Sequence, residues 1–403
     1  MNDHGSDAPA SVTRRDFAAL TGIAALGAFA PGGVPLIGGR EARAPSSLAE
    51  RMAASPAEPI PPFTYDIEAS EGKTAPGGNA KEATVKEFPI SEGLAGVSMR
   101  LKPGGLRELH WHALAAEWAY MVKGHCRITV FDPDGHNEVV DFSPGDVWYF
   151  PRGYGHSLQG LGPDETHFVL IFDNGHFSEY GTFSITDWMA LTPPAVLAKN
   201  FGATPAAFAA LPKKEIYIGA GRVPAALPTD PAPGSDRQGA LTHRYRLLAQ
   251  VPKEFSGGSL RVVSSVEFPV STTMTGAIMT LKPGALRAMH WHPNADEWQY
   301  WMSGRGRVTL FGSSGRVRTE EVGPGGVVYI PRGFGHHIES IGTDEAHIII
   351  GFNSGIYQES SFAQWLQAVP PELVTDNLGI AESVVTAWPK SNGAIVASTN
   401  KSY

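Results

Sequence analysis

From about residue 63 onward the chain is built of short runs in which apolar and polar positions alternate. Val97-Ser98-Met99-Arg100-Leu101 places Val97, Met99 and Leu101 on one face and Ser98 and Arg100 on the other, the period-two pattern of a half-buried strand. Residues 118–122 and 127–131, joined through Gly124, read as a hairpin. Pro144-Gly145-Asp146 reads as a turn feeding a strand over 147–150, and 168–172 is a mostly apolar strand. Helical periodicity is confined to 186–198, with Asp187 near its start, and to 361–368. An α/β chain needs helices between its strands, and they are missing here. The pattern predicts an all-β protein, a sandwich or barrel with short helices after the strands.

The same text occurs twice. Glu87-Phe88-Pro89 recurs as Glu267-Phe268-Pro269, Leu101-Lys102-Pro103-Gly104 as Leu281-Lys282-Pro283-Gly284, and His110-Trp111-His112 as His290-Trp291-His292. Glu117-Trp118 recurs as Glu297-Trp298, Pro151-Arg152-Gly153 as Pro331-Arg332-Gly333, and His156 as His336, all at an offset of 180. That spacing is too long for a solenoid repeat and marks a duplicated domain. The expected organisation is a leader over 1–44, an arm over 45–62, a first domain over 63–198, a linker with helical character over 199–240 and a second domain over 241–403.

Composition narrows the classes. A chain of 403 residues exceeds one ordinary core, and its 46 Gly and 32 Pro supply the turns that many short strands require. A net charge of -8, from 32 basic and 40 acidic residues, argues against nucleic acid or an anionic membrane as partner. Cys126 is the single cysteine, which excludes an intramolecular disulfide and a thiolate metal cluster. At the N-terminus, Thr13-Arg14-Arg15-Asp16-Phe17 precedes a weakly apolar run over 18–37 and the small-residue site Ala42-Arg43-Ala44. This resembles a twin-arginine signal peptide. It predicts export in the folded state to the periplasm or outside, with any cofactor loaded beforehand.

In an extended segment His110 and His112 share a face, and Trp111 takes the other. Glu117 follows after a four-residue bend, and His156 follows the turn Pro151-Arg152-Gly153-Tyr154-Gly155. Three imidazoles and one carboxylate suit Mn, Fe or Zn rather than a soft metal or Ca. The second half offers His290, His292, Glu297 and His336 at the same spacings. Two metal ions per chain are expected. Mn(II) binds among the weakest of the divalent series, so availability must select it.

Gly104-x5-His110-x-His112-x4-Glu117-x6-Gly124 resembles the first cupin motif, and Gly145-x5-Pro151-x-Gly153-x2-His156 the second. Gly160 and Ser340 stand where an Asn often closes the latter. The resemblance implies two double-stranded β-helix jelly-roll domains, a bicupin. The text Leu106-Arg107-Glu108-Leu109-His110-Trp111-His112, Glu117-Trp118-Ala119-Tyr120, Phe172-Asp173-Asn174-Gly175, Phe177-Ser178-Glu179-Tyr180-Gly181-Thr182-Phe183 and Thr186-Asp187-Trp188 is similar to the oxalate decarboxylases. That likeness implies manganese and dioxygen as cofactors, oxalate as substrate, formate and carbon dioxide as products, and trimer-based homo-oligomers. It also implies that Arg107 holds oxalate and that Glu179, on a mobile lid, moves the proton.

Arg107 stands three residues before His110, an odd spacing that turns it away in a regular strand, so a bulge must re-aim it. With it inward, a divalent ion and one carboxylate give a pocket of about +2, matched to an oxalate dianion. Arg287 and Glu359 repeat the two positions, on a lid-like segment one residue shorter before Phe362, and Ile350 stands where family members often carry a Glu. The second site is therefore expected to bind metal with its own catalysis in question. The alternatives are an oxalate oxidase or another bicupin oxygenase, and a non-catalytic bicupin of the storage-globulin kind, which commonly loses the ligands that this chain keeps. His167 and His347 read as interior or rim histidines, Cys126 as a buried small hydrophobe, and Trp111 and Trp291 as outward residues packing under each domain.

Overall fold

The computed structural model describes residues 58–227, 241–389 and 393–398. All lie in the compact unit Ser46–Tyr403. The leader read over 1–44 and most of the arm lie outside the described residues.

Each half is a barrel of two antiparallel sheets. In the first half, a six-stranded sheet runs Phe183–Ser184, Leu106–Trp111, Gly155–Gly160, Cys126–Phe131, Asn137–Phe142, with Ile218–Gly219 also on Leu106–Trp111. Facing it is a seven-stranded sheet in the order Arg244–Arg246, Asp146–Phe150, Glu117–Lys123, Thr166–Phe172, Ala95–Leu101, Gly78–Ala83, Lys73–Ala75. The second half repeats both sheets. Alternation along the strands aims Val97, Met99, Leu101, Phe168, Leu170 and Phe172 into the first barrel's core.

The hairpin expected across Gly124 does not form. Glu117–Lys123 pairs with Asp146–Phe150 and Thr166–Phe172, whereas Cys126–Phe131 pairs with Asn137–Phe142 and Gly155–Gly160 in the other sheet. Gly124, at φ 74°, turns the chain from one sheet to the other. A Cβ there would meet Glu165 O at 2.7 Å. The helix expected over 186–198 is two, Ile185–Leu191 and Pro194–Phe201, because Pro193 precedes the second and interrupts backbone pairing. Ser184 and Ser361 cap Ile185–Leu191 and Phe362–Ala368. Pro371–Leu378 and Glu382–Thr386 follow as further short helices. No helix among the described residues is long and apolar enough to cross a membrane.

The boundaries along the chain are not boundaries in space. Thr64–Asp66, ahead of the first barrel, adds to the second through Thr64↔Val328. Arg244–Arg246, ahead of the second, adds to the first through Tyr245↔Val147. Ile218–Gly219, inside the expected linker, completes the first barrel's ligand-bearing sheet. Between the halves, two fully buried tryptophans are exchanged. A Cβ on Gly276 would lie 1.9 Å from Trp118 Cζ2, and one on Gly96 2.0 Å from Trp298 Cζ2. Only glycine leaves room for each indole.

Candidate metal centre

The strand Leu106–Trp111 carries the first ligands, and a register shift against Gly155–Gly160 decides where its side chains point. His110 pairs with His156 and Arg107 with Leu158, so three steps on one strand match two on the other. This extra residue is the expected bulge. It brings Arg107 to the same interior as His110, both essentially unexposed. Arg287 and His290 show the same shift against Ile338 and His336. His112 lies just past the strand, Glu117 opens Glu117–Lys123, and His156 stands on Gly155–Gly160.

The structure brings the eight expected ligands into two clusters. His290, His292, Glu297 and His336 hold ligand atoms within 4.8 Å of one another, as do His110, His112 and His156. Glu117 Oε2 lies 3.6 Å from His156 Nε2 and 3.7 Å from His112 Nδ1. The donor chemistry fits a cation. Nδ1 of His110, His156, His290, His292 and His336 faces the backbone oxygens of Glu108, Tyr154, Ala288, Gln358 and Phe334. That fixes Nδ1 as the N–H and leaves Nε2 a lone pair. Nε2 of His110, His112, His156, His292 and His336, with Oε2 of Glu117 and Glu297, is buried and without a partner. So many converging buried acceptors are costly unless a cation satisfies them. Burial holds the imidazoles of His110 and His112 below their ordinary value, in the neutral form that ligation needs.

The carboxylate beside each imidazole cluster is braced differently. Glu117 Oε1 accepts from Trp148 Nε1 at 2.6 Å. Glu297 Oε1 accepts from Gln299 Nε2 at 2.7 Å, and Gln299 Oε1 in turn accepts from Trp301 Nε1 at 3.1 Å.

Above the first cluster sits Glu179, on the short turn Glu179–Gly181 and 1% exposed. Its Oε1 accepts from Arg107 Nε at 2.7 Å, and its Oε2 lies 3.4 Å from His112 Nε2. Arg107 also donates to Thr182 Oγ1 at 2.8 Å and to Tyr217 O at 3.3 Å, with its guanidinium 4.5 Å from the Tyr217 ring centroid. Burial works against the Glu179 carboxylate, yet the Arg107 charge and the His112 contact bring it down to about 2.

The repeat breaks at this point. Glu359 turns to Arg287 and accepts from Tyr357 OH at 2.6 Å, while Arg287 also donates to Ala394 O at 3.2 Å. Glu359 and Tyr357 line a cavity of about 830 Å³, whereas Glu179 is shut in. Ile350 lies buried in the second core.

The sequence assigns no role to Trp148, Thr182 or Tyr217. Positions 328 and 397, at the repeat offset from Trp148 and Tyr217, hold Val and Ala, so the duplication gave no signal. His167 contacts Ser98 Oγ at 2.9 Å and His347 lies near Thr280 and Glu345; neither belongs to a ligand cluster. Cys126 is buried, as expected. Trp111 and Trp291 point outward, but they pack beneath surface rings rather than under the domain: Trp111 against Phe183 and the exposed Trp188, and Trp291 against the exposed Trp365. A third group, Asp132, Asp134 and His136, is a turn whose Asp132 Oδ1 accepts the N–H groups of Asp134 and His136.

The family model described as Cupin matches residues 68–207 and 246–386. The chain is 41% identical over 356 residues to the oxalate decarboxylase OxdC of Bacillus subtilis (strain 168), covering 86% of this chain and 92% of that protein. It is 34% identical over 348 residues to a probable oxalate decarboxylase of Arthroderma benhamiae, covering 84% of each. A solved structure of oxalate decarboxylase from Bacillus subtilis at pH 4.6 superposes with a TM-score of 0.81 at 41% identity, over 85% of this chain and 89% of that one. A second, of the same bacterium's oxalate decarboxylase and concerned with its Mn(II) centres, gives 0.81 at 39% identity over 87% and 95%.

Proposed function

Because the chain belongs to the cupin family, and within it to the oxalate decarboxylases, we propose that it converts oxalate to formate and carbon dioxide, with manganese and dioxygen as cofactors. The observation that carries this reading is the closure of Glu179 over the first imidazole trio while paired to Arg107. His110, His112, His156 and Glu117 would hold one manganese, and His290, His292, Glu297 and His336 the other. Bound manganese, with dioxygen, supplies the Lewis-acid and one-electron chemistry that cleavage of the oxalate C–C bond demands.

The chain's own residues do the rest. Arg107 is buried and presents N–H groups that a substrate carboxylate can take over from Glu179. Losing that partner raises the proton affinity of Glu179, which accepts the proton of hydrogen oxalate. Once carbon dioxide has left, Glu179 returns the proton to the carbon that becomes formate. One hydrogen oxalate gives one formate and one carbon dioxide, so no net oxidation occurs. Burial of Glu179 and Arg107 keeps water from the reacting carbon.

At the second site Glu359 is engaged by Arg287 and Tyr357. We read that site as a metal holder without a free acid. The N-terminal text around Arg14 and Arg15 supports export by the twin-arginine route to the periplasm or beyond. Trimer-based self-association is consistent with the exposed rings of Trp188 and Trp365, and sedimentation checks it.

The test is incubation with oxalate, reading formate, hydrogen peroxide and bound metal together. One formate per oxalate with little peroxide is expected. Peroxide matching oxalate, with little formate, would make the protein an oxidase.

A further inference from the structure

The strand Gly78–Ala83 carries a carboxylate that neither the metal cage nor the proposed chemistry uses. Glu82 is 6% exposed. Both of its oxygens lie 3.0 Å from Ser178 Oγ, and Oε2 accepts from Glu179 N at 3.2 Å. Both donors belong to the segment that places Glu179 over the first site. Ser178 Oγ also accepts from Tyr180 N at 3.2 Å, capping the turn. The internal repeat supplies a built-in comparison. Val262 stands at the position of Glu82 and Gln358 at that of Ser178, and in that half Glu359 turns to Arg287 and Tyr357. The half with a carboxylate on this strand is the half whose lid acid faces the imidazoles; the second segment is also three residues shorter, Ser361 pairing with His290 where Ser184 pairs with His110.

From this difference we infer that Glu82 is the latch of the first site, a positioning residue that holds 178–181 closed and so sets the share of oxalate released as formate rather than oxidised. The inference rests on the decarboxylation reading.

The latch is a proton-linked one. Burial pushes Glu82 up to about 7, the Glu87 and Glu179 charges add to this, and the Ser178 hydroxyl and Glu179 N–H oppose it. The phenols of Tyr180 and Tyr217 also face this carboxylate. A neutral Glu82 fits the closed segment: its O–H donates to Ser178 Oγ and its other oxygen accepts Glu179 N–H. Opening returns it to water and its ordinary 4.5. The closed form thus binds a proton that the open form releases. The contribution to closure is full below 4.5 and is lost as pH rises through about 7.

The experiment compares manganese-loaded wild type, Glu82→Gln, Glu82→Ala and Ser178→Ala between about pH 5 and about pH 8. Formate and peroxide per oxalate are measured, with bound metal and deuterium exchange of 178–181. Gln reproduces the neutral carboxyl, donating from its amide to Ser178 Oγ and accepting Glu179 N–H. E82Q should keep the low-pH formate share and flatten its decline above about pH 7. E82A should raise peroxide per oxalate about threefold or more and speed exchange of the segment about tenfold, with metal content unchanged. Ser178→Ala should move both readouts the same way, which keeps a test in hand if E82A misfolds. Wild-type exchange and partition in E82A and Ser178→Ala, or a wild-type pH profile in E82Q, would overturn the latch. Absence of formate from the wild type would instead overturn the decarboxylation reading, and the exchange rates would still decide whether Glu82 holds the segment.

Discussion

Replacement of Glu179 by Gln separates proton transfer from packing. Glu179 is fully buried and is the charged partner of Arg107 at 2.7 Å. Ala would strip Arg107 of that partner, and breaking a buried ion pair costs about 3–5 kcal/mol, so a dead Ala variant could simply be a damaged one. Gln keeps the volume and one oxygen to accept the Arg107 Nε–H. Arg107 also retains Thr182 Oγ1 and Tyr217 O, so E179Q should cost less than E179A, although Arg107 loses its counter-charge in both. What Gln cannot do is accept and return a proton. Positioned general acid–base groups contribute about 10²–10⁴-fold, so E179Q should lose at least about 100-fold in kcat for formate. The assay is formate release by the purified, metal-loaded protein, alongside metal analysis and thermal melting. The reasoning is refuted if E179Q keeps formate release within about threefold of wild type at equal metal content.

Three further outcomes follow from the cages. Glu117→Ala should empty the first site and leave the second occupied, halving metal per chain by elemental analysis; unchanged stoichiometry would count against Glu117 as a ligand. Trp148→Phe removes the N–H that holds Glu117 Oε1 and should weaken first-site metal affinity about 10–100-fold, measured by chelator competition, with the Gln299-braced site unaffected. Glu359→Gln should leave formate production within about twofold, because Glu359 is bound to Arg287 and Tyr357; a loss as deep as that of E179Q would make the second site catalytic.

The parts of this architecture that are local in sequence were readable from it. His110 and His112 share a face because strand side chains alternate, and the repeat at His290 and His292 raised a common pattern to a paired one. Even the bulge at Arg107 was readable, because an odd spacing and an inward role cannot both hold in a regular strand. What stayed hidden depends on which distant strands meet. Tyr217 reaches Arg107 from the expected linker through Ile218–Gly219, a two-residue strand with no periodicity to detect. Glu82 carries no signal of its own in the sequence, because its partner Ser178 lies far along the chain. The hairpin expected across Gly124 failed because a short glycine connection turns equally well within a sheet or between two sheets.

The tryptophans exchanged between the halves tie the two metal sites into one fate. Trp118 directly follows the expected ligand Glu117 and fills the space above Gly276; Trp298 directly follows Glu297 and fills the space above Gly96. Neither half, expressed alone, would have a socket for its own indole, and each would present a large ring and an unpaired sheet edge to water. The two halves form one body, in which a bulky replacement at Gly96 or Gly276 would push on Trp298 or Trp118 and so reach the opposite cage through one peptide bond.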